Sequence, residues 1–124
     1  MKITITDDSY REKVRARVRE ARDAAIGDGF VFKGKRFDSD PLSLQRIANA
    51  ATLALIAKSR GVDWNTVWIC ADNSTMPLGL EDMLDLGVVA GKFADDLFTK
   101  SRGLYARIAA ATTADELDAI QWTK

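Results

Sequence analysis

The sequence predicts an α+β domain that is mainly helical, and three observations carry the prediction. Apolar residues recur at threes and fours over long stretches between capping signals. Two short runs rich in β-formers sit beside turn residues. The two prolines, Pro41 and Pro77, both fall where an element would begin, so no linker divides the 124 residues, and they are read as one domain spanning 1–124.

The first predicted helix covers about residues 10–25. Ser9-x-x-Glu12 is a capping-box signature, and Tyr10, Val14, Val18, Ala21 and Ala25 follow at helical spacing. Gly27-Asp28-Gly29 stops it, and a hairpin over about 30–37 follows, with Phe30 and Phe32 on one face and Lys33-Gly34 as its turn. Asp40-Pro41 caps a second helix over about 41–59, whose expected core stripe is Leu44, Ala48, Ala51 and Leu55 with Ile47 and Ala54 beside it, ending at Gly61. A strand over about 66–71 precedes the turn residues Asp72-Asn73-Ser74, and Thr75–Leu78 suits a returning arm. The expected small antiparallel sheet combines the hairpin with this strand. Met83, Leu86, Ala90, Phe93, Leu97, Leu104 and Ile108 then mark one long helix over about 81–110, and Thr113-x-x-Glu116 opens a short one over about 114–120. Met1–Thr6 alternates Ile3 and Ile5 with polar residues, as a short strand or extended arm would.

Composition narrows the function. Lys plus Arg and Asp plus Glu stand at 18 each, so no net field draws the chain to nucleic acid or an acidic membrane surface. The basic segment from Arg11 to Asp23 has Glu12, Glu20 and Asp23 among its six basic residues and no aromatic beyond Tyr10, which reads as a protein contact or a solvated helix face before a nucleic-acid reader. No apolar run approaches the roughly 20 residues that span a bilayer. The single Cys70 cannot form an internal disulfide, and nothing after Met1-Lys2 looks like a secretory leader, so folding in a cytoplasm is expected.

Chemistry finds little footing. With no histidine, the commonest general base near neutral pH and the commonest zinc ligand are both missing. Cys70 lies within a predicted strand, where a buried inert thiol is usual. Asp38-Ser39-Asp40 presents a carboxylate pair of the kind that holds divalent cations, but Asp40 already has work as a helix cap. Neither glycine pair completes a phosphate-binding fingerprint. Asp82, Asp85, Asp95 and Asp96 read as the solvated face of the long helix. No catalytic, cofactor or metal residue is therefore assigned. The candidate functional residues are instead Val88, Val89, Phe98 and Tyr105, which lie off the main stripe of the long helix and suit a partner interface.

Taken in order, the string Gly29-Phe30 … Gly34-Lys35-x-Phe37-Asp38-x-Asp40, then Ser43-x-x-Arg46-Ile47-x-x-Ala50, Trp68-x-x-x-Asp72-Asn73 and Ile108-x-x-Ala111-x-Thr113-x-x-Glu116-Leu117-x-x-Ile120-x-Trp122 resembles a domain of unknown function found in tail and tail-fibre-associated proteins of tailed bacteriophages and prophages. The resemblance covers roughly Arg15 to Trp122. It implies a non-catalytic structural or interaction role in the tail of the virion, made and folded in the host cytoplasm, with other phage tail proteins or further copies of itself as partners. The alternative it leaves open is a tail-fibre assembly chaperone that does not remain in the particle.

Overall fold

Eight elements follow one another in a computed structural model that describes residues 8–123. They are α1 (Ser9–Gly27), β1 (Phe30–Phe32), β2 (Lys35–Phe37), α2 (Pro41–Ser59), β3 (Asn65–Ile69), β4 (Thr75–Gly79), α3 (Leu80–Ala110) and α4 (Ala114–Asp118). The arm expected over Met1–Thr6 lies outside the described residues. The chain is α+β as predicted, with every predicted helix present and strands at both predicted hairpins. Its contacts gather it into two compact units, one formed by residues 26–95 and one in which residues up to 25 join those from 96 onward.

In the 26–95 unit, β1 and β2 pair antiparallel with Phe30 opposite Phe37 and Phe32 opposite Lys35. The turn works because Lys33 and Gly34 both adopt positive φ, at 51° and 79°, which matches the right-handed twist of the flanking strands. The alternation places Phe30, Phe32 and Phe37 inward, and their rings meet at centroid distances of 5.8 Å. Phe93 of α3 closes against Phe30 at 5.5 Å. Ile47, Ala54, Leu78, Met83, Leu86 and the thiol of Cys70 complete this core.

The strands form two separate two-stranded hairpins, β1–β2 and β3–β4, where one sheet was expected. A single backbone bond bridges them, from Ala71 N–H to Arg36 O at 2.9 Å. The loop after β3 explains the break. Asn73 takes a positive φ of 67°, and the Asp72 carboxylate accepts from the backbone N–H of Ser74 at 2.9 Å, folding the chain back on itself within a few residues. Beyond Ile69 the chain is thus committed to β4 and offers no ladder to β2.

α2 is capped at both ends as the sequence requires. Asp40 accepts from Ser43 N–H, and the C-terminus closes with Val62 N–H on Ala57 O at 2.9 Å and Gly61 N–H on Lys58 O at 3.2 Å. Gly61, at φ 67°, supplies the left-handed residue that this double bond needs. The expected stripe is rotated, however. Ile47, Ala54 and Ala57 are buried, while Leu55 and Ala48 face solvent. A helix apolar on nearly every side offers no contrast from which to choose the inward face.

In the other unit, Val14 and Val18 of α1 pack on Leu104, Ile108, Ala111, Leu117 and Ile120, with Tyr10, Tyr105 and Trp122 around the edge. Each buried valine contributes about 1.5–3 kcal/mol at most. α1 opens at Ser9, one residue earlier than the capping box implies, with Asp8 O accepting from Glu12 N–H at 2.9 Å. Arg11 reaches the far end of the sequence, donating to Ala111 O at 2.5 Å and Ile108 O at 3.4 Å, where the chain leaves α3 and its carbonyls run short of the usual intrahelical donors. The second capping box forms nearly as read: Thr113 accepts from Glu116 N–H at 3.2 Å, and the Glu116 carboxylate returns to Thr112 N–H at 2.8 Å.

Candidate protein-binding surface

The carboxylates with displaced pKa values are occupied with holding backbone. Asp40 lies below the usual carboxylate range because the Ser43 hydroxyl and N–H both donate to it. Asp72 is held down to about 2, first by the Ser74 hydroxyl and N–H and then by Lys35 at 3.5 Å. Asp82 is lowered by Lys33, 2.5 Å away, and by the N–H of Gly79, the residue ahead of α3. This corrects the reading of Asp82 as merely solvated: it caps α3 and ties the β1–β2 turn to it. Tyr10 is raised, since the Asp118 carboxylate accepts its hydroxyl proton.

Ser39 is a residue whose work the sequence concealed. Between the exposed Asp38 and Asp40 it points inward, only 1% exposed, accepting from Gly29 N–H at 2.8 Å and donating to Ile26 O. Its hydroxyl locks the end of α1 to the start of β1. Gly29 must be glycine there, because its φ is 86° and a Cβ would lie 2.8 Å from Phe37 O. Among the described residues no three Cys, Asp or Glu side chains gather as a metal cluster would. No described helix is long and apolar enough to cross a membrane.

The four candidate interface residues separate by pairs. In the 26–95 unit, Val88 is 69% exposed, whereas Val89 packs partly against the core. In the other unit, Phe98 is 41% exposed but has the Arg22 guanidinium 4.9 Å above its ring, and Tyr105 packs on the Val14 cluster. Only Val88 is the uncovered aliphatic group that the sequence suggested.

Larger apolar surfaces lie elsewhere in the 26–95 unit. On the outer face of the β3–β4 hairpin, Val67 and Ile69 are each 62% exposed, and Pro77 stands directly opposite Val67. Their neighbours Trp68, Met76 and Leu78 point inward, so this hairpin is apolar on both faces, where a solvated one would alternate with polar residues. On α2, Leu42, Leu53 and Ile56 share a second exposed line with Arg46, Asn49 and Arg60, spaced at threes and fours. The signal was present in the sequence. α2 holds only two charges, Arg46 and Lys58, in 19 residues, more apolar surface than one neighbouring helix can cover.

These features define a small helix-dominated α+β protein with two β-hairpins and uncovered aliphatic faces. The chain belongs to the family described as Domain of unknown function (DUF4376), whose model matches residues 9–121. A search of curated proteins and of solved structures finds no match.

Proposed function

We propose that this chain is a non-catalytic structural or interaction protein of a bacteriophage tail, retained in the virion as a tail, baseplate or fibre-associated component. The observation that carries the reading is the outward face of the β3–β4 hairpin, where Val67, Ile69 and Pro77 stand together in solvent. Aliphatic groups gathered on one face stabilise a complex by leaving water, and such faces mark sites where another protein docks. The ordered motifs from Gly29 to Trp122 that resemble the tail-associated domain supply the setting. The shifted carboxylates Asp40, Asp72 and Asp82 support a structural role, because each holds a cap or turn in place of facing a cleft.

The partners under this reading are other tail proteins, with neither nucleic acid nor membrane engaged, and the chain moves from the host cytoplasm into the particle. Quantitative mass spectrometry of gradient-purified particles tests it. Stoichiometric presence is expected, and a Val67→Asp variant is expected to fold yet fail to enter particles. Abundance in the lysate with absence from particles overturns retention and favours an assembly chaperone.

A further inference from the structure

We infer that α2 is the seat of a symmetric, antiparallel pairing between two copies of this chain. The inference deepens the reading of the chain as an interaction protein by naming one partner. It rests on α2 itself, so it stands or falls independently of any presence in a virion.

The exposed line of α2 reads Leu42, Arg46, Asn49, Leu53, Ile56 and Arg60. Its three aliphatic members are 66%, 57% and 46% exposed respectively. A two-fold axis passing beside Asn49 pairs the aliphatic ends of the line with each other and sets its inner members beside uncharged groups. Leu42 of one copy then lies level with Ile56 of the other, Gln45 with Leu53 and Arg46 with Thr52, while the two Asn49 amides meet on the axis. No like charges face one another. A polar residue at the centre of an apolar helical seam fixes register, because any slip leaves its amide against hydrocarbon.

The charges at the two ends support the same register. Asp38 and Asp40 both precede the first residue of α2, whereas Arg60 marks its C-terminal end. Neither Asp38 nor Arg60 has an ion-pair partner among the described residues. Antiparallel pairing brings the Arg60 end of each helix to the end of the other copy that carries Asp38, and sets the positive end of each helix dipole beside the negative end of its partner. Sliding the pair by one turn would instead place Arg60 against Leu42 and Arg46 against Ile56, which strands two cations on aliphatic groups. Arg46 is already held by Trp68, its guanidinium carbon 5.6 Å from that ring, which keeps it beside the seam and out of its centre. An acidic helix of another protein would satisfy Arg46 and Arg60 but would leave Asp38 unmatched. A second copy satisfies both ends at once.

One helix pair buries less than the roughly 1,200 Å² typical of permanent complexes, so micromolar affinity is expected. Sedimentation equilibrium of the isolated full chain between about 1 and 300 μM measures it. The expected result is a mass rising towards twice that of the chain, with Leu53→Glu raising the dissociation constant at least about tenfold. Leu53 is more than half exposed, so this variant keeps its fold, which circular dichroism verifies. Arg60→Asp should weaken the pair and Asp38→Arg/Arg60→Asp restore it. Under mild oxidation Asn49→Cys should link into covalent dimers, whereas Ser59→Cys, whose two copies would lie about 30 Å apart at 1.5 Å rise per residue, should not. A chain that stays monomeric throughout the range overturns the inference and leaves this face to a different protein. A dimer that is indifferent to Leu53→Glu and does not cross-link through Asn49→Cys overturns it equally, since it would use another surface. Failure of the charge swap to restore the pair overturns the register.

Discussion

Replacing Gly87 with alanine sets two effects of opposite sign against each other, and the structure decides between them. An alanine in a helix interior is favoured over glycine by about 0.5–1 kcal/mol, because the unfolded chain has less freedom to lose. At Gly87, though, the new Cβ would meet the Cβ of Ala51 at 2.7 Å, where ordinary contact begins at 3.4 Å. Ala51 has no rotamer by which to yield, so α2 and α3 must part, and overpacking of that kind costs about 1–3 kcal/mol. Gly87→Ala is therefore expected to destabilise by about 1–2 kcal/mol net. Gly91, one turn further along α3, has nothing within 4 Å of its would-be Cβ, so Gly91→Ala keeps only the favourable effect and should stabilise by about 0.5–1 kcal/mol. Urea unfolding of both variants measures the difference, which corresponds to melting points separated by several degrees, at roughly 4 °C per kcal/mol for a chain of this size. Removing the opposing methyl in Ala51→Gly/Gly87→Ala should recover part of the loss, giving a coupling of at least about 0.5 kcal/mol in a double-mutant cycle. If Gly87→Ala proves as stable as the wild type, the close approach of the two helices is refuted.

Ser39→Ala removes the acceptor of Gly29 N–H and the donor to Ile26 O from a buried site, so a loss of about 1–3 kcal/mol is expected by urea unfolding, with Ser39→Thr no substitute in so confined a position. Asp72 gives the fold a pH dependence with a defined sign. Its folded pKa of about 2 lies below the ordinary 3.8, so its contribution is complete above about pH 5 and is lost as pH falls through about 2. Asp72→Asn keeps an acceptor for Ser74 N–H but cannot titrate. The stability gap between wild type and Asp72→Asn should be constant from pH 7 to about 5 and narrow below about 4, as followed by melting temperature. A gap that widens on acidification would contradict the assignment.

Much of the fold was legible because local chemistry and periodicity agreed. Asp40-Pro41 and Gly61 bound α2, Thr113 and Glu116 bound the start of α4, and the Lys33-Gly34 turn forms with both residues at positive φ, as a two-residue hairpin demands. What escaped was set by tertiary neighbours. The sequence of α2 offers apolar residues on nearly all sides, so only the position of α3, pressed against Ala51 at Gly87, decides that Ala57 is inside and Leu55 outside. Asp82 read as surface because its partner Lys33 lies 49 residues earlier. Of the candidate interface positions, Val88 stands in solvent as its spacing off the stripe suggested. Val89 and Tyr105 touch cores whose width a one-helix reading could not foresee, and Phe98 shelters under an arginine from α1.

The reach of Arg11 to the carbonyls of Ile108 and Ala111 has a consequence for the order in which the molecule can be made. Residues 26–95 form a continuous stretch, and their core can close as soon as that stretch has left the ribosome. α1 is synthesised first but must wait, because Val14, Val18 and the Arg11 guanidinium find their partners only when residues near 104–120 emerge. Throughout that interval its apolar line is bare. Charged side chains, mostly basic with a few acids among them, cover the rest of α1, and they keep a nascent helix in solution until the last third of the chain arrives to cover it.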